Sequence, residues 1–265
     1  MATTRIRVKQ ILQSPLPPLK QGPYKTSSPA LHTLRYVGSM GPWLNFQNQV
    51  ESAYNAQTFS RSTTNPVSLG PHQMEPEILY VGDEHGVQGR FQQAIGQVLG
   101  VALEAQGVNL SFGDFKCSGI MYQNTPDVIG LSRTIQGNEE LSLTGELKVP
   151  WIPQHSISEA YHTPRALRRL LGQPLLYMRD LGSAYGFLST YDETIFLHQT
   201  QLANGQWHVE YSPVVMSTDI YEPSQGPTSV PSVSMRQCVF YVAGLASQQG
   251  PVSNQTPALQ WVVVG

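Results

Sequence analysis

Two runs rich in β-branched and apolar residues, Pro126 to Arg133 and Leu141 to Trp151, stand on either side of Gln136-Gly137-Asn138. Runs of this kind around a glycine-bearing turn form a hairpin. In an antiparallel pair, the numbers of facing residues share one sum. A turn centred between Gln136 and Gly137 sets that sum at 273, which places Asp127 opposite Glu146. Strand side chains alternate between faces, so Lys148 points the same way as Glu146. The second strand therefore carries an acid and an amine through an otherwise apolar stretch, where either is costly to bury alone. Two carboxylates and an ammonium gathered at one end of a hairpin have a chemical use. The carboxylates suit a hard divalent cation such as Mg²⁺. Such an ion acidifies a bound water and neutralises charge on a phosphate in transit. A lysine beside it positions the water and stabilises a negative transition state.

The flanking pattern predicts a mixed α/β domain with a central sheet. Glu77 to Gly82 reads as a short strand. Asp83 to Gly107 reads as a helix with an apolar face at Val87, Phe91, Ile95, Val98 and Ala102, capped by Asp83 and stopped by Gly107. Phe115 to Tyr122 reads as a strand before the hairpin. Beyond the hairpin, Ser156 to Gly182 reads as helix, interrupted near Pro164 and Pro174. Tyr185 to Gln199 and Trp207 to Met216 read as two strands, and Ser232 to Gln248 as a closing helix. Residues 1–75 show no sustained period, and their Leu12 to Pro23 stretch is proline-rich. They are expected to form an irregular arm laid in pieces over a body of residues 76–265.

Composition narrows the function. A formal net charge of −2 and a pI near 6.4 exclude a protein that coats nucleic acid by bulk positive charge, so any such contact needs a local patch. Two cysteines, Cys117 and Cys238, are too few for a disulfide scaffold or a multi-cysteine zinc site. No Gly-Lys-Ser/Thr phosphate loop and no Gly-x-Ser-x-Gly elbow occurs. The first residues lack the apolar run of a signal peptide, and no stretch suits a membrane helix. The expectation is an intracellular protein, cytoplasmic or nuclear, with no membrane partner.

Pro126-Asp127 followed by Glu146-x-Lys148 resembles the signature of the PD-(D/E)xK nuclease superfamily. Gln173-Pro-Leu-Leu-Tyr177 resembles the Gln-x-x-x-Tyr motif that follows the catalytic strand in its RecB-like branch. The resemblance spans roughly residues 77–200. More loosely, Tyr177 to Leu197 is similar to uncharacterised fungal proteins that carry such domains. The resemblance implies a restriction-endonuclease-like αβββαβ core and hydrolysis of DNA, less so of RNA. It implies Mg²⁺ or Mn²⁺ held by Asp127, Glu146, the carbonyl of Leu147 and Glu84, with Lys148 at the attacking water. Gln173 and Tyr177 would brace these groups or touch phosphate, and Arg165 and Arg169 would meet the phosphate backbone.

Blander readings stay open. Glu146 and Lys148 also fit a solvated salt bridge, and the arginines an ordinary helix face. Asp114-Phe-Lys116 is a second acid-x-lysine run, without the preceding Pro-Asp or the following helix motif. The alternative function is a catalytically inactive module of the same fold that binds nucleic acid or protein, with the arm as a docking segment for a protein partner.

Overall fold

The computed structural model describes residues 4–29, 33–59, 64–67, 79–226 and 229–265. The first two residues of the strand expected over 77–82 lie outside them, as do 1–3, 30–32, 60–63 and 68–75 of the arm.

The described arm is a succession of short elements. Strand β1 (Thr4–Arg7) leads into helix α1 (Val8–Gln13), and then come β2 (Lys20–Gln21), β3 (Leu34–Tyr36), β4 (Ser39–Pro42), helix α2 (Phe46–Asn55) and β5 (Thr64–Val67), which pairs with β1. Only α2, ten residues long, writes a period into the sequence, with Phe46, Val50 and Tyr54 buried at four-residue steps. The arm's anchors are single side chains: Leu12, Trp43, Phe46, Val50 and Tyr54 are buried in the main core. Strand β4 joins the central sheet as an edge strand.

Strand β6 (Tyr80–Val81) precedes a helix in two parts, α3 (Glu84–Phe91) and α4 (Gln97–Ala105), joined by a π-helical turn over Gln92–Gly96. Asp83 caps α3 by accepting a bond from the Gly86 N–H at 2.8 Å, and Gly107 ends the run at φ 68°. The expected face is buried at Val87, Phe91, Ile95 and Ala102, with Val98 only partly covered, and Leu99 and Leu103 are buried as well, in steps of four from Ile95. Steps of four drift off one face of an α-helix. The wider π turn absorbs the drift, so Leu99 replaces Val98 on the expected face.

Phe115 to Tyr122 is not a strand. Asp114 accepts a bond from the Lys116 N–H at 2.9 Å and starts a 3₁₀ turn, Phe115–Ser118, which Gly119 ends at φ 69°. A side chain that competes for the local backbone in this way displaces a ladder. The strand lies just before it, as β7 (Ser111–Gly113). The hairpin consists of β8 (Val128–Arg133) and β9 (Glu139–Leu147), with Val128 facing Gly145 and Ile129 facing Thr144. Both pairs sum to 273, and a bulge at Gly130/Leu131 shifts the register only towards the turn.

The interrupted helix is three: α5 (Ile157–Tyr161), α6 (Pro164–Leu170) and α7 (Gly172–Asp180), with the first break next to Pro164 and the second at Leu171, ahead of Pro174. Pro164 and Pro174 both sit in first turns, where a missing N–H leaves no bond unmade. Strands β10 (Tyr185–Ser189) and β11 (Glu193–Gln201) reverse at Tyr191, whose φ is 72°, so the single run expected there is itself a hairpin. Strands β12 (Trp207–Tyr211) and β13 (Val215–Met216), helices α8 (Met235–Gln248) and α9 (Ala258–Trp261), and β14 (Val262–Val264) complete the chain. Strand β14 pairs with β3.

The central sheet has eight strands in the order β4-β12-β11-β10-β9-β8-β7, with β13 beside β11. It is mixed: β9 runs parallel to β10, and β12 parallel to β4. Alternation sends Leu143, Leu147, Phe187 and Phe196 into a core shared with α1, α2, α3, α4 and α8. Leu188, Ile195, Leu197 and Val209 enter a second core beneath α5, α6, α7 and α9. Helices therefore flank both faces. Among the described residues, no helix is long and apolar enough to cross a membrane.

Candidate metal centre

Helix α3, the entry to β8 and the end of β9 converge on one point. Glu84 is the first residue of α3, Asp127 immediately precedes β8, and Glu146 lies near the end of β9. One carboxylate oxygen from each lies within 4.8 Å of the others, a cluster able to bind a metal ion. Asp127 is locked in place by the hairpin: its Oδ2 accepts the Leu147 N–H at 2.8 Å, and its own carbonyl accepts a bond from Gln88 Nε2 at 2.5 Å. Gln88 lies one turn along α3 from Glu84, so the same helix supplies one acid and braces a second.

Lys148 Nζ donates to Glu146 Oε1 at 2.5 Å and to Glu84 Oε2 at 3.3 Å. The lysine is 5% exposed and Glu146 only 2%, which rules out a solvated pair on a sheet edge. Glu146 Oε2 is buried and has no hydrogen-bond partner among the described residues. A buried acceptor left unsatisfied is destabilising unless something outside the chain meets it. Burial pushes the Glu146 carboxyl up to about 8, helped by the Asp127 charge and opposed by Lys148. Burial also raises the Asp127 carboxyl, against the pull of the Leu147 N–H. For Lys148 burial disfavours the charge, but Glu146, Glu84 and Asp127 together outweigh it and raise the ammonium above its ordinary value. Without a cation, the site holds more negative charge than one lysine offsets.

Gln173 and Tyr177 share a face of α7, and Gln173 Nε2 donates to the Tyr177 hydroxyl at 2.6 Å. Tyr177 is buried, and its phenol is raised by burial and then by the charges of Glu146 and Asp127. It lies close enough to feel the charges of both carboxylates, and its hydroxyl takes its hydrogen bond from Gln173. Tyr122 meets Tyr177 edge-on and donates to Asp180 Oδ2 at 2.7 Å. Arg165 and Arg169 lie exposed on α6, which packs on α5, β3 and α7, so the structure sets them on the helix before the one that carries Gln173 and Tyr177. Leu147 buries its side chain in the core. Lys116 and Asp114 belong to the 3₁₀ turn, separate from this cluster.

No family model, no curated protein and no solved structure matches the chain. Gln88 carries a role that the sequence signals only by its four-residue spacing from Glu84. A second such feature is the link from Trp151 Nε1 to the carbonyl of Thr26 at 2.9 Å, which ties the chain just after Lys148 to the N-terminal arm.

Proposed function

We propose that the protein is a metal-dependent phosphodiesterase acting on DNA, with a PD-(D/E)xK-like centre on a restriction-endonuclease-like core. The observation that carries this reading is the buried, unpartnered Oε2 of Glu146, set among two further carboxylates with a lysine on its other oxygen. The donor set is all oxygen, as Mg²⁺ or Mn²⁺ prefers. The order of α3–α4, β7, β8, β9, α7 and β10 agrees with the αβββαβ arrangement that the resemblance implies.

Glu84, Asp127 and Glu146 would hold the ion, with the Leu147 carbonyl as a further ligand. The bound ion would supply an acidified water and charge neutralisation at the scissile phosphate. Lys148 keeps its proton in this acidic setting, orients the attacking water and stabilises the charge that develops on the phosphate. Gln88 fixes the Asp127 backbone, and Gln173 holds Tyr177 behind Glu146 as a positioning pair.

The test is cleavage of labelled DNA by the full chain with Mg²⁺, Mn²⁺ or EDTA. Cleavage that needs the ion and drops at least ~100-fold in Lys148→Ala supports the reading. A folded protein that cuts neither DNA nor RNA with either ion overturns it in favour of a non-catalytic module.

A further inference from the structure

Positive charge is unevenly spread along this chain. Residues 1–50 contain six lysines and arginines and no aspartate or glutamate, whereas residues 51–265 contain ten and eighteen, so +6 stands against −8 in a total of −2. Such asymmetry points to a polyanionic partner for the basic part.

The structure shows where part of that segment lies. The Tyr191 hydroxyl, just past the end of β10, donates to the Pro17 carbonyl at 2.8 Å. Strand β2 pairs in parallel with β6, setting Lys20 beside Tyr80. The Thr26 N–H donates to the Gly82 carbonyl at 2.8 Å, two residues before Glu84, and the Thr26 carbonyl accepts from Trp151, three residues after Lys148. Residues 17–26 thus cross the carboxyl ends of β9 and β10 and tie together the two segments that present Glu84 and Lys148. The crossing is lined with aromatic rings and cations. Tyr24 is 91% exposed and Tyr80 65%. Lys20 lies 4.3 Å from the Tyr80 ring centre and Lys25 5.4 Å from that of Trp151.

We propose that this crossing is a binding strap for single-stranded DNA, with phosphates on Lys20 and Lys25 and bases stacked on Tyr24 and Tyr80. Exposed rings interleaved with lysines suit an unpaired strand, whose bases are free to stack, better than a duplex, whose bases are already stacked. Charge complementarity selects the occupant, because the strap lies within the basic part of an otherwise acidic protein and carries two of its six cations and no acid. Only the delivery of that strand to the carboxylates rests on the nuclease reading; binding to the strap does not.

Fluorescence anisotropy of a labelled oligonucleotide with the full chain in EDTA reads binding without cleavage. Single-stranded DNA is expected to bind more tightly than the matching duplex. Tyr24→Ala and Tyr80→Ala are each expected to weaken binding ~5- to 100-fold. Lys20→Ala with Lys25→Ala should lower the slope of log affinity against log salt by about 1.4, the value for two phosphate contacts on a single strand. Tyr24, Lys25 and Tyr80 are exposed and Lys20 is half-buried, so circular dichroism should show each variant folded. Wild-type affinity in these folded variants, or tighter binding of duplex, overturns the strap. Parallel cleavage assays with Mn²⁺ separate the two readings. Strap-dependent binding without cleavage leaves the strap standing and removes the nuclease, and cleavage with unaltered binding in the variants does the reverse.

Discussion

Glu146 gives one oxygen to Lys148 and leaves the other without a donor among the described residues, deep in the protein. Its carboxyl lies at about 8 against an ordinary 4.5. A folded-state pKa raised in this way means that ionisation opposes folding. The stabilisation from the protonated form is complete below the ordinary value and is lost as pH rises through about 8. Metal-free protein should therefore become less stable to urea from about pH 5 to about pH 8, and Glu146→Gln should flatten that slope. Cation binding displaces the proton, so Mn²⁺ affinity measured by calorimetry should climb across the same range and show proton release. Gln88 acts one step further out, through the Asp127 carbonyl. Gln88→Ala should weaken Mn²⁺ binding ~10- to 100-fold, the usual effect of losing a group that orients a ligand.

The hairpin was legible from sequence because its register needs only the centre of a turn, and the facing pairs Val128–Gly145 and Ile129–Thr144 follow from it. Asp83 and Gly107 marked the ends of their helix for local reasons of capping and backbone freedom. Features that depend on competition between bonds were not legible. A π turn moved the buried face from Val98 to Leu99, and the Asp114 side chain turned an apparent strand into a 3₁₀ turn. The strap escaped because backbone bonds and one indole hold it, and neither leaves a period. Packing around the hairpin makes a further prediction. A Cβ on Gly145 would come within 2.1 Å of the Phe187 ring, which is itself stacked on Phe91. Gly145→Ala should cost ~1–3 kcal/mol in urea unfolding, as overpacked cores do. It should also weaken metal binding, because Glu146 is the next residue along the strand.

On the scale of the whole molecule, the sheet carries a core on each face and its charged cluster at the exit of two parallel strands. Crevices at the carboxyl ends of parallel strands are where open α/β sheets place their ligands. The outer strands have a separate consequence. At one margin stands β7, only three residues long; at the other stands β4, four residues ending in Pro42, which has no N–H to offer. Neither border presents an extended ladder of free donors and acceptors on which another molecule could template itself. Concentrated samples should accordingly give no thioflavin signal, and any self-association should proceed through side chains rather than through growth of the sheet.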